Sequence, residues 1–121
     1  QAGLADKLIE QAEENGNLRL IKSVVPNLNP NDLRSLAAQV NKRAAPSIVL
    51  LASESNGKCG MVCICSQEAV DTGHQAGQYL SELAGKLGGK GGGKPDFAMG
   101  GAPAGKGLNE ALVGISFSTE G

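Results

Sequence analysis

Hydrophobic positions near the start of the chain follow helical spacing first and strand spacing afterwards. The spacing predicts a helix over residues 4–15, with Gly16 as its C-terminal stop. Residues 18–25 have the pattern of a strand that ends at Pro26. We interpret the first helix as the stub of a longer helix upstream. Its apolar stripe consists of Leu4, Leu8, Ile9 and Ala12.

The next segment predicts a second helix and a buried strand. Asn29 suits the N-cap and Pro30 the first helical position, and helical spacing continues to about Arg43. Pro46 ends this helix. The run 47–52 is almost continuously apolar, which favours a central strand covered on both faces.

Turn signals predict the elements of the second half. Asn56-Gly57 is a strong hairpin signal that joins the 47–52 strand to another strand over residues 58–66. A helix is predicted over about 75–87, capped by Asp71 or Thr72. The remaining predictions are a short edge strand over 96–99, a brief helix over 107–113, and a strand or frayed tail over 113–121.

This order of elements predicts an α/β fold with a mixed sheet of four to five strands, helices packed on it, and a glycine-rich loop after a helix. The 18–25 and 47–52 strands are expected to be parallel, across a right-handed crossover. Residues 1–16 are assigned to the linker stub and residues 17–121 to one globular domain. Because the chain begins at Gln1, we expect it to be a fragment of a longer protein.

Composition adds one strongly biased segment to this picture. The chain has 121 residues and a net charge of −1, so its bulk charge does not indicate nucleic-acid binding. It has no apolar run long enough to span a bilayer. Ten of the 18 glycines lie between residues 85 and 107. The same segment holds one carboxylate, Asp96, against four lysines, Lys86, Lys90, Lys94 and Lys106.

Part of this segment fits the letters of a phosphate-binding loop without its chemistry. Residues 88–94 match G-x-x-x-x-G-K, but the next residue is Pro95 and supplies no hydroxyl for magnesium. The segment also leaves a predicted helix, whereas such loops leave a strand. A nucleotide site of this kind is therefore excluded.

The same residues carry a resemblance to a known family. The run Gly-Gly-Lys-Gly-Gly-Gly-Lys-Pro-Asp-Phe-Ala-Met-Gly-Gly (88–101), followed by Leu-Asn-Glu-Ala-Leu (108–112), resembles the C-terminal, DHHA1-type domain of alanyl-tRNA synthetases. That domain belongs to a superfamily also found at the end of DHH phosphoesterases. The resemblance covers nearly the whole chain.

The resemblance implies a non-catalytic domain that binds alanine-specific tRNA at its elbow and couples aminoacylation with the editing of mischarged tRNA. It implies no cofactor in this fragment, and ATP, magnesium and zinc in the parent enzyme. It also implies a cytoplasmic protein, with a possible homodimer through upstream helices. The nucleic-acid-binding positions carried over are Gly88, Gly89, Lys90, Gly91, Gly92, Gly93, Lys94, Pro95 and Asp96.

Two departures from the family pattern leave alternatives open. The upstream helical portion is reduced to residues 1–15 at most, and Gly114 and Ser116 interrupt the last helix, so dimerisation is in doubt. A freestanding editing hydrolase or a DHH-type phosphoesterase could carry the same domain. The phosphoesterases typically have a histidine where Lys94 stands. A protein-interaction module without an RNA role is the other alternative.

The residues themselves support an RNA contact in the glycine run. Amides without side chains can approach phosphate oxygens closely, as in a backbone nest, and Lys90 and Lys94 add positive charge. At most about four phosphate contacts are available, so we expect weak binding by the isolated domain. In the alternative interpretation, the glycines permit tight packing against the sheet and the lysines are simply solvated.

The other residues with reactive or charged side chains are interpreted as structural or solvated, without a role in catalysis. His74 is expected to be a solvated residue just before a helix, and Asp96 to orient Lys94 or cap a turn. No triad, carboxylate pair or metal-ligand spacing indicates catalysis. We expect Cys59, Cys63 and Cys65 to be buried and to pack as small hydrophobic side chains. We expect Arg34, Lys42 and Arg43 to form a solvated face of their helix. The alternative is that they make an auxiliary RNA contact.

Overall fold

The computed structural model describes residues 2–103 and 107–115, which form one sheet with helices on both faces. Mixed α/β architecture is therefore confirmed. The elements in chain order are α1 (Ala2–Glu10), β1 (Glu13–Asn15), β2 (Leu18–Val24), α2 (Pro30–Ala44), β3 (Ser47–Ser55), β4 (Lys58–Cys65), α3 (Gln67–Asp71), α4 (Ala76–Lys86), β5 (Lys90–Gly93), β6 (Phe97–Pro103) and α5 (Leu108–Val113).

The sheet of the described part has six strands, in the order β1-β2-β3-β4-β6-β5, instead of the four to five predicted. β2 and β3 are parallel, as expected, and α2 connects them. β3 and β4 form the predicted antiparallel hairpin. Asn56 and Gly57 both have positive φ at its turn, which matches the twist of the strands it joins.

The two faces of the sheet bury different residue sets because side chains alternate along each strand. Alternate positions of β3, such as Val49 and Leu51, pack with α1 and α2 in one cluster. The intervening positions, such as Ile48 and Leu50, pack with α3, α4 and α5 in the other. β3 is buried from both sides, as its continuous apolar run predicts.

Helix α2 begins where its sequence signals place it. The Asn29 Oδ1 atom accepts a hydrogen bond from the amide of Asp32 at 2.8 Å, and Pro30 occupies the first turn. One face of the helix is buried against β3 and β4. Its opposite face is solvated.

The predicted first helix is wrong in its second half. α1 ends at Glu10, and residues 13–15 form β1, which pairs with β2 around a turn at Gly16. Gly16 has a φ of 64°, so the left-handed conformation expected of a helix stop serves a strand turn instead. α1 packs against α2. The division of the chain at residue 16 stays a prediction.

Two details of the middle region also differ from the prediction. The short helix α3 follows β4 and ends at Asp71, so neither Asp71 nor Thr72 caps the next helix. Gln75 is the N-cap residue of α4. The first two amides of α4, those of Ala76 and Gly77, donate to backbone carbonyls from another part of the chain, which a local capping pattern does not reveal.

The glycine run contributes to the sheet instead of remaining entirely a loop. Residues 90–93 form the edge strand β5, which extends the sheet beyond β6. The strand predicted at 96–99 is therefore not an edge: β6 lies between β4 and β5. Edge and interior positions depend on long-range pairing, which local composition does not encode.

The predicted last helix is confirmed as α5. Lys22 of β2 donates hydrogen bonds from Nζ to the carbonyls of Val113 (3.2 Å) and Ile115 (2.6 Å), just where the helix ends. A cation at this end of a helix satisfies carbonyls that have no partner within it. Residues 116–121 of the predicted strand or tail, and Lys106, lie outside the described residues.

Candidate nucleic-acid interface

Three glycines of the candidate site are required by close packing within the protein. A Cβ atom at Gly91 would lie 2.4 Å from Leu80 Cδ1 of α4, and one at Gly89 would lie 2.2 Å from the carbonyl oxygen of Gly101. A Cβ at Gly93 would lie 2.5 Å from the carbonyl oxygen of Phe97. These glycines let β5 fit closely between α4 and β6, which agrees with the packing interpretation.

Other glycines of the same run face open space. Neither Gly88 nor Gly92 has an atom within 4 Å of the place where a Cβ would stand. Gly88 has a φ of 75°, so the backbone conformation explains its glycine. Neither close packing nor a left-handed conformation explains why position 92 is a glycine. The backbone at Gly92 is therefore accessible to a binding partner.

The amides of β5 do not form a backbone nest. Lys94 donates from its amide to the carbonyl of Phe97 at 2.8 Å and continues the antiparallel ladder. Successive amides of such a ladder point alternately toward the partner strand and away from it. The amides of Lys90 and Gly92 are therefore directed at β6, and only alternate ones face the open edge.

The turn over residues 94–96 is fixed by four backbone hydrogen bonds. Besides the Lys94 amide, the carbonyls of Lys94 and Pro95 accept from the amides of Gly77 (3.2 Å) and Ala76 (2.7 Å) at the start of α4. The carbonyl of Asp96 accepts from the amide of Cys65 at 2.9 Å. The backbone of this turn is thus held by α4 and β4, and its side chains remain exposed.

Three cationic side chains surround this strand. Lys86 ends α4, Lys90 begins β5 and Lys94 directly follows β5; all three are exposed. The only ion pair within residues 2–103 and 107–115 joins Arg43 to Asp6, so these lysines are not neutralised by the described carboxylates. Lys90 and Lys94 lie about 13 Å apart along the strand.

Asp96 is the one acidic residue of the run and is exposed. Its backbone carbonyl accepts a hydrogen bond from the amide of Cys65. The expectation that it orients Lys94 stays a prediction. The local charge of the described run therefore remains positive.

The three cysteines are buried and unpaired, as predicted. Burial is the first reason that the pKa of the Cys63 thiol lies well above its usual value, and its hydrogen bond with Cys65 is the second. Burial also raises the pKa of Cys59, with a smaller effect from the carboxylate of Glu54. Thiols with raised pKa values are poor nucleophiles, which agrees with a packing role.

The prediction of a solvated His74 is wrong. The side chain is buried, and its Nδ1 atom lies 2.5 Å from the hydroxyl oxygen of Tyr79, so the two form a hydrogen bond. Burial lowers the pKa of His74 and raises that of Tyr79 to about 12. The signal in the sequence is their spacing of five residues across a helix start, which becomes visible only once α4 is placed.

The solvated face of α2 is confirmed: Arg34, Lys42 and Arg43 are exposed. Arg43 pairs with Asp6 of α1. Nothing in the described ranges groups three or more histidine, cysteine or acidic side chains as a metal site would. Among the helices of residues 2–103 and 107–115, none has the length and apolar character to cross a bilayer.

Sequence reasoning missed Lys58, which extends the cationic surface. Lys58 begins β4 directly after the Asn56-Gly57 turn and is exposed. It pairs in register with Pro103 of β6, while Lys90 pairs with Gly101 two residues away on the same strand. The long-range order β4-β6-β5 brings these two lysines to the same end of the sheet, on strands separated only by β6, which no local pattern indicates.

Comparisons with known proteins agree with this architecture. The family described as the DHHA1 domain matches residues 17–115. The chain is 44% identical over 100 residues to an alanine–tRNA ligase of Opitutus terrae and 39% identical over 109 residues to one of Rhodopirellula baltica. These matches cover 83% and 89% of this chain but only 11% and 12% of the relatives, so the chain spans about an eighth of their length.

Two solved structures share the fold. The crystal structure of the C-Ala domain from Aquifex aeolicus alanyl-tRNA synthetase superposes with a TM-score of 0.74 at 31% identity, covering 85% of this chain and 92% of that one. RecJ from Thermus thermophilus, in complex with Mg²⁺, superposes with a TM-score of 0.59 at 17% identity. The second match covers 93% of this chain and 16% of RecJ, and it shows the fold alone.

Proposed function

Because the chain belongs to the DHHA1 domain family, which matches it over residues 17–115, we propose that it is the tRNA-binding C-terminal domain of an alanine–tRNA ligase. The proposed contact surface is formed by residues 88–96. Its target is the elbow of the L-shaped tRNA, and its role is to couple aminoacylation with the editing of mischarged tRNA. The likeness to the Aquifex aeolicus C-Ala domain supports this placement over a DHH phosphoesterase.

The observation that carries the proposal is a rigid turn that presents exposed cations. Four backbone hydrogen bonds hold residues 94–96, so little ordering is needed when Lys94 meets a phosphate. A surface that is ordered before binding loses less conformational entropy on association. Lys90, at the other end of β5, is exposed as well, so the two ammonium groups are available to phosphates.

The glycines of the run fall into two groups, and this difference supports RNA binding at the 88–96 surface. Gly89, Gly91 and Gly93 fit β5 to its neighbours, whereas Gly92 leaves the strand bare on its open side. A bare strand lets a sugar-phosphate backbone come close. Shape, phosphate and 2′-hydroxyl contacts dominate the recognition of folded RNA, and such contacts need no aromatic platform.

Further properties of the parent protein are part of the proposal. ATP, magnesium and zinc are assigned to other parts of the ligase, as the resemblance to the family implies. We place the protein in the cytoplasm, where the free thiols of Cys59, Cys63 and Cys65 stay reduced. A homodimer would form through helices upstream of α1.

A double substitution tests the contact surface. Lys90→Ala/Lys94→Ala is expected to weaken binding of an alanine-specific tRNA transcript and to lower the slope of log affinity against log salt by about two, because two phosphate contacts are lost. Fluorescence anisotropy over a salt series measures both quantities. Lys7→Ala/Arg19→Ala, which removes two exposed charges near the opposite edge of the sheet, is the matched control.

Equal effects of the two double variants would mean that only bulk charge matters, and the proposed surface would be wrong. Absence of tRNA binding by the unchanged chain, together with a dimer on a sizing column, would favour an interaction module instead. Both exposed lysines lie outside the core, so the unfolding midpoint of the variant is expected to match that of the unchanged chain.

A further inference from the structure

A cleft of about 940 Å³ opens at the end of the sheet where β3 and β6 finish and β4 begins. The β3–β4 hairpin forms one wall and the start of α2 the other. Its floor is almost free of side chains, since Gly60, Gly100, Gly101 and Ala102 line it. We call this space, between Asn29-Pro30, the hairpin and the end of β6, the hairpin cleft.

The hairpin cleft is continuous with the proposed tRNA surface. Gly89, the residue before β5, lines the cleft and belongs to the 88–96 segment. Lys90 follows it directly. A strand of RNA on the β5 surface therefore reaches the cleft without leaving the protein.

The charge of the hairpin cleft is of one sign. Among the described residues that line the cleft, Lys58 is the one with an ammonium group, and none carries a carboxylate. Lys58 is exposed and makes no ion pair with a described acid. The positive charge of Lys58 therefore favours an anionic occupant of the cleft over a cationic one, such as a metal cation or a basic peptide.

The sheet register sets the separation of the two cations. Gly60 and Lys90 both pair with Gly101, and Lys58 lies two residues before Gly60. Two strand spacings across and two residues along the strand give about 12 Å between the Cα atoms of Lys58 and Lys90. Lysine side chains of this separation can reach phosphates of one RNA strand on either side of an intervening nucleotide.

We propose that the hairpin cleft holds one segment of RNA sugar-phosphate backbone, which continues from Lys90 across the bare floor to Lys58. This inference rests on the proposed tRNA-binding function and extends its site to the end of the sheet beside the β3–β4 hairpin, with a further binding residue. The glycine floor admits the backbone at close range. Lys58 binds the phosphate at the far side of the cleft.

Two variants test the occupant and its position. Lys58→Ala is expected to weaken binding of the alanine-specific tRNA transcript about fivefold and to lower the salt slope by about one. Gly101→Ala adds a methyl group to the floor, where its nearest neighbour would be the Cys59 carbonyl at 3.4 Å. This variant is expected to weaken binding with an unchanged salt slope and an unchanged unfolding midpoint.

The controls separate this inference from the function on which it rests. Lys7→Ala removes an exposed charge from α1, none of whose residues lines the cleft, and is expected to change affinity less than Lys58→Ala. If Lys58→Ala behaves like Lys7→Ala while Lys90→Ala/Lys94→Ala still weakens binding, the cleft is not used and the β5 surface stands. If Lys58→Ala weakens binding but Gly101→Ala does not, the charge acts at long range and the proposed occupancy is wrong.

Discussion

His74 illustrates, at the scale of single residues, what a sequence conceals. Its position before a helix suggests a solvated side chain, yet it is buried, and its Nδ1 atom lies within hydrogen-bond distance of the Tyr79 hydroxyl of α4. Cys63 and Cys65 share that side of the core. Burial of a histidine depends on which elements meet, and no local pattern encodes that.

The buried imidazole predicts a pH dependence of stability. Because burial lowers the pKa of His74 in the folded chain, the unfolded chain binds its proton more readily. Its contribution to the free energy of unfolding is therefore complete above the unfolded pKa of about 6.5 and is lost as the pH falls below that value. Unfolding by urea at a series of pH values between neutral and mildly acidic measures this loss.

A substitution isolates the histidine from the carboxylates that also titrate in acid. His74→Gln is expected to be less stable at neutral pH but to lose less stability on mild acidification than the unchanged chain. Tyr79→Phe removes the hydroxyl at a cost of about 1 kcal/mol and is expected to keep the pH dependence. Parallel pH profiles for His74→Gln and the unchanged chain would contradict this account.

At the scale of elements, the close packing of β5 against α4 and β6 explains the glycines at positions 77, 89, 91, 93 and 100. Local signals predict β2, α2, β3 and β4, since each has its own cap, turn or apolar run. The same signals misplace β6 and omit β5, because strand character in Lys-Gly-Gly-Gly comes from pairing with β6 and from α4 above it. Composition indicated that the backbone comes close to something there, and part of the answer is the protein itself.

Two glycines of α4 provide a matched test of this packing. A Cβ at Gly77 would lie 2.8 Å from the carbonyl oxygen of Gly93, whereas one at Gly85 would meet nothing within 4 Å. Gly77→Ala is therefore expected to destabilise the fold by at least 1 kcal/mol, since backbone must move. Gly85→Ala is expected to stabilise it by up to about 1 kcal/mol through helix propensity. Denaturant unfolding of both variants measures the difference.

Equal effects at the two positions would show that β5 does not lie against α4 as described. The pair is informative because both changes add the same methyl group to the same helix. Intrinsic helix propensity therefore contributes equally to both, and only the distance to β5 differs.

At the scale of the whole molecule, the sheet separates its charges. β1, at one edge, carries exposed Glu13 and Glu14, and β5, at the other, carries exposed Lys90 and is followed by Lys94. Five strand spacings separate these edges, or about 24 Å. A net charge of −1 thus conceals one edge with exposed lysines and an opposite edge whose exposed carboxylates lie beside Arg19 of β2, an arrangement that only the strand order reveals.

This separation predicts how the domain orients on RNA. Salt at physiological strength screens charges over about 8 Å, so the acidic edge lies well beyond the reach of a phosphate bound at β5. Glu13→Gln/Glu14→Gln is therefore expected to change tRNA affinity less than twofold at physiological salt, with a larger gain when salt is lowered. Anisotropy titrations at both salt levels measure this. A several-fold gain at physiological salt would mean that RNA also lies along β1, and the domain would then bind across its whole width instead of at its basic end.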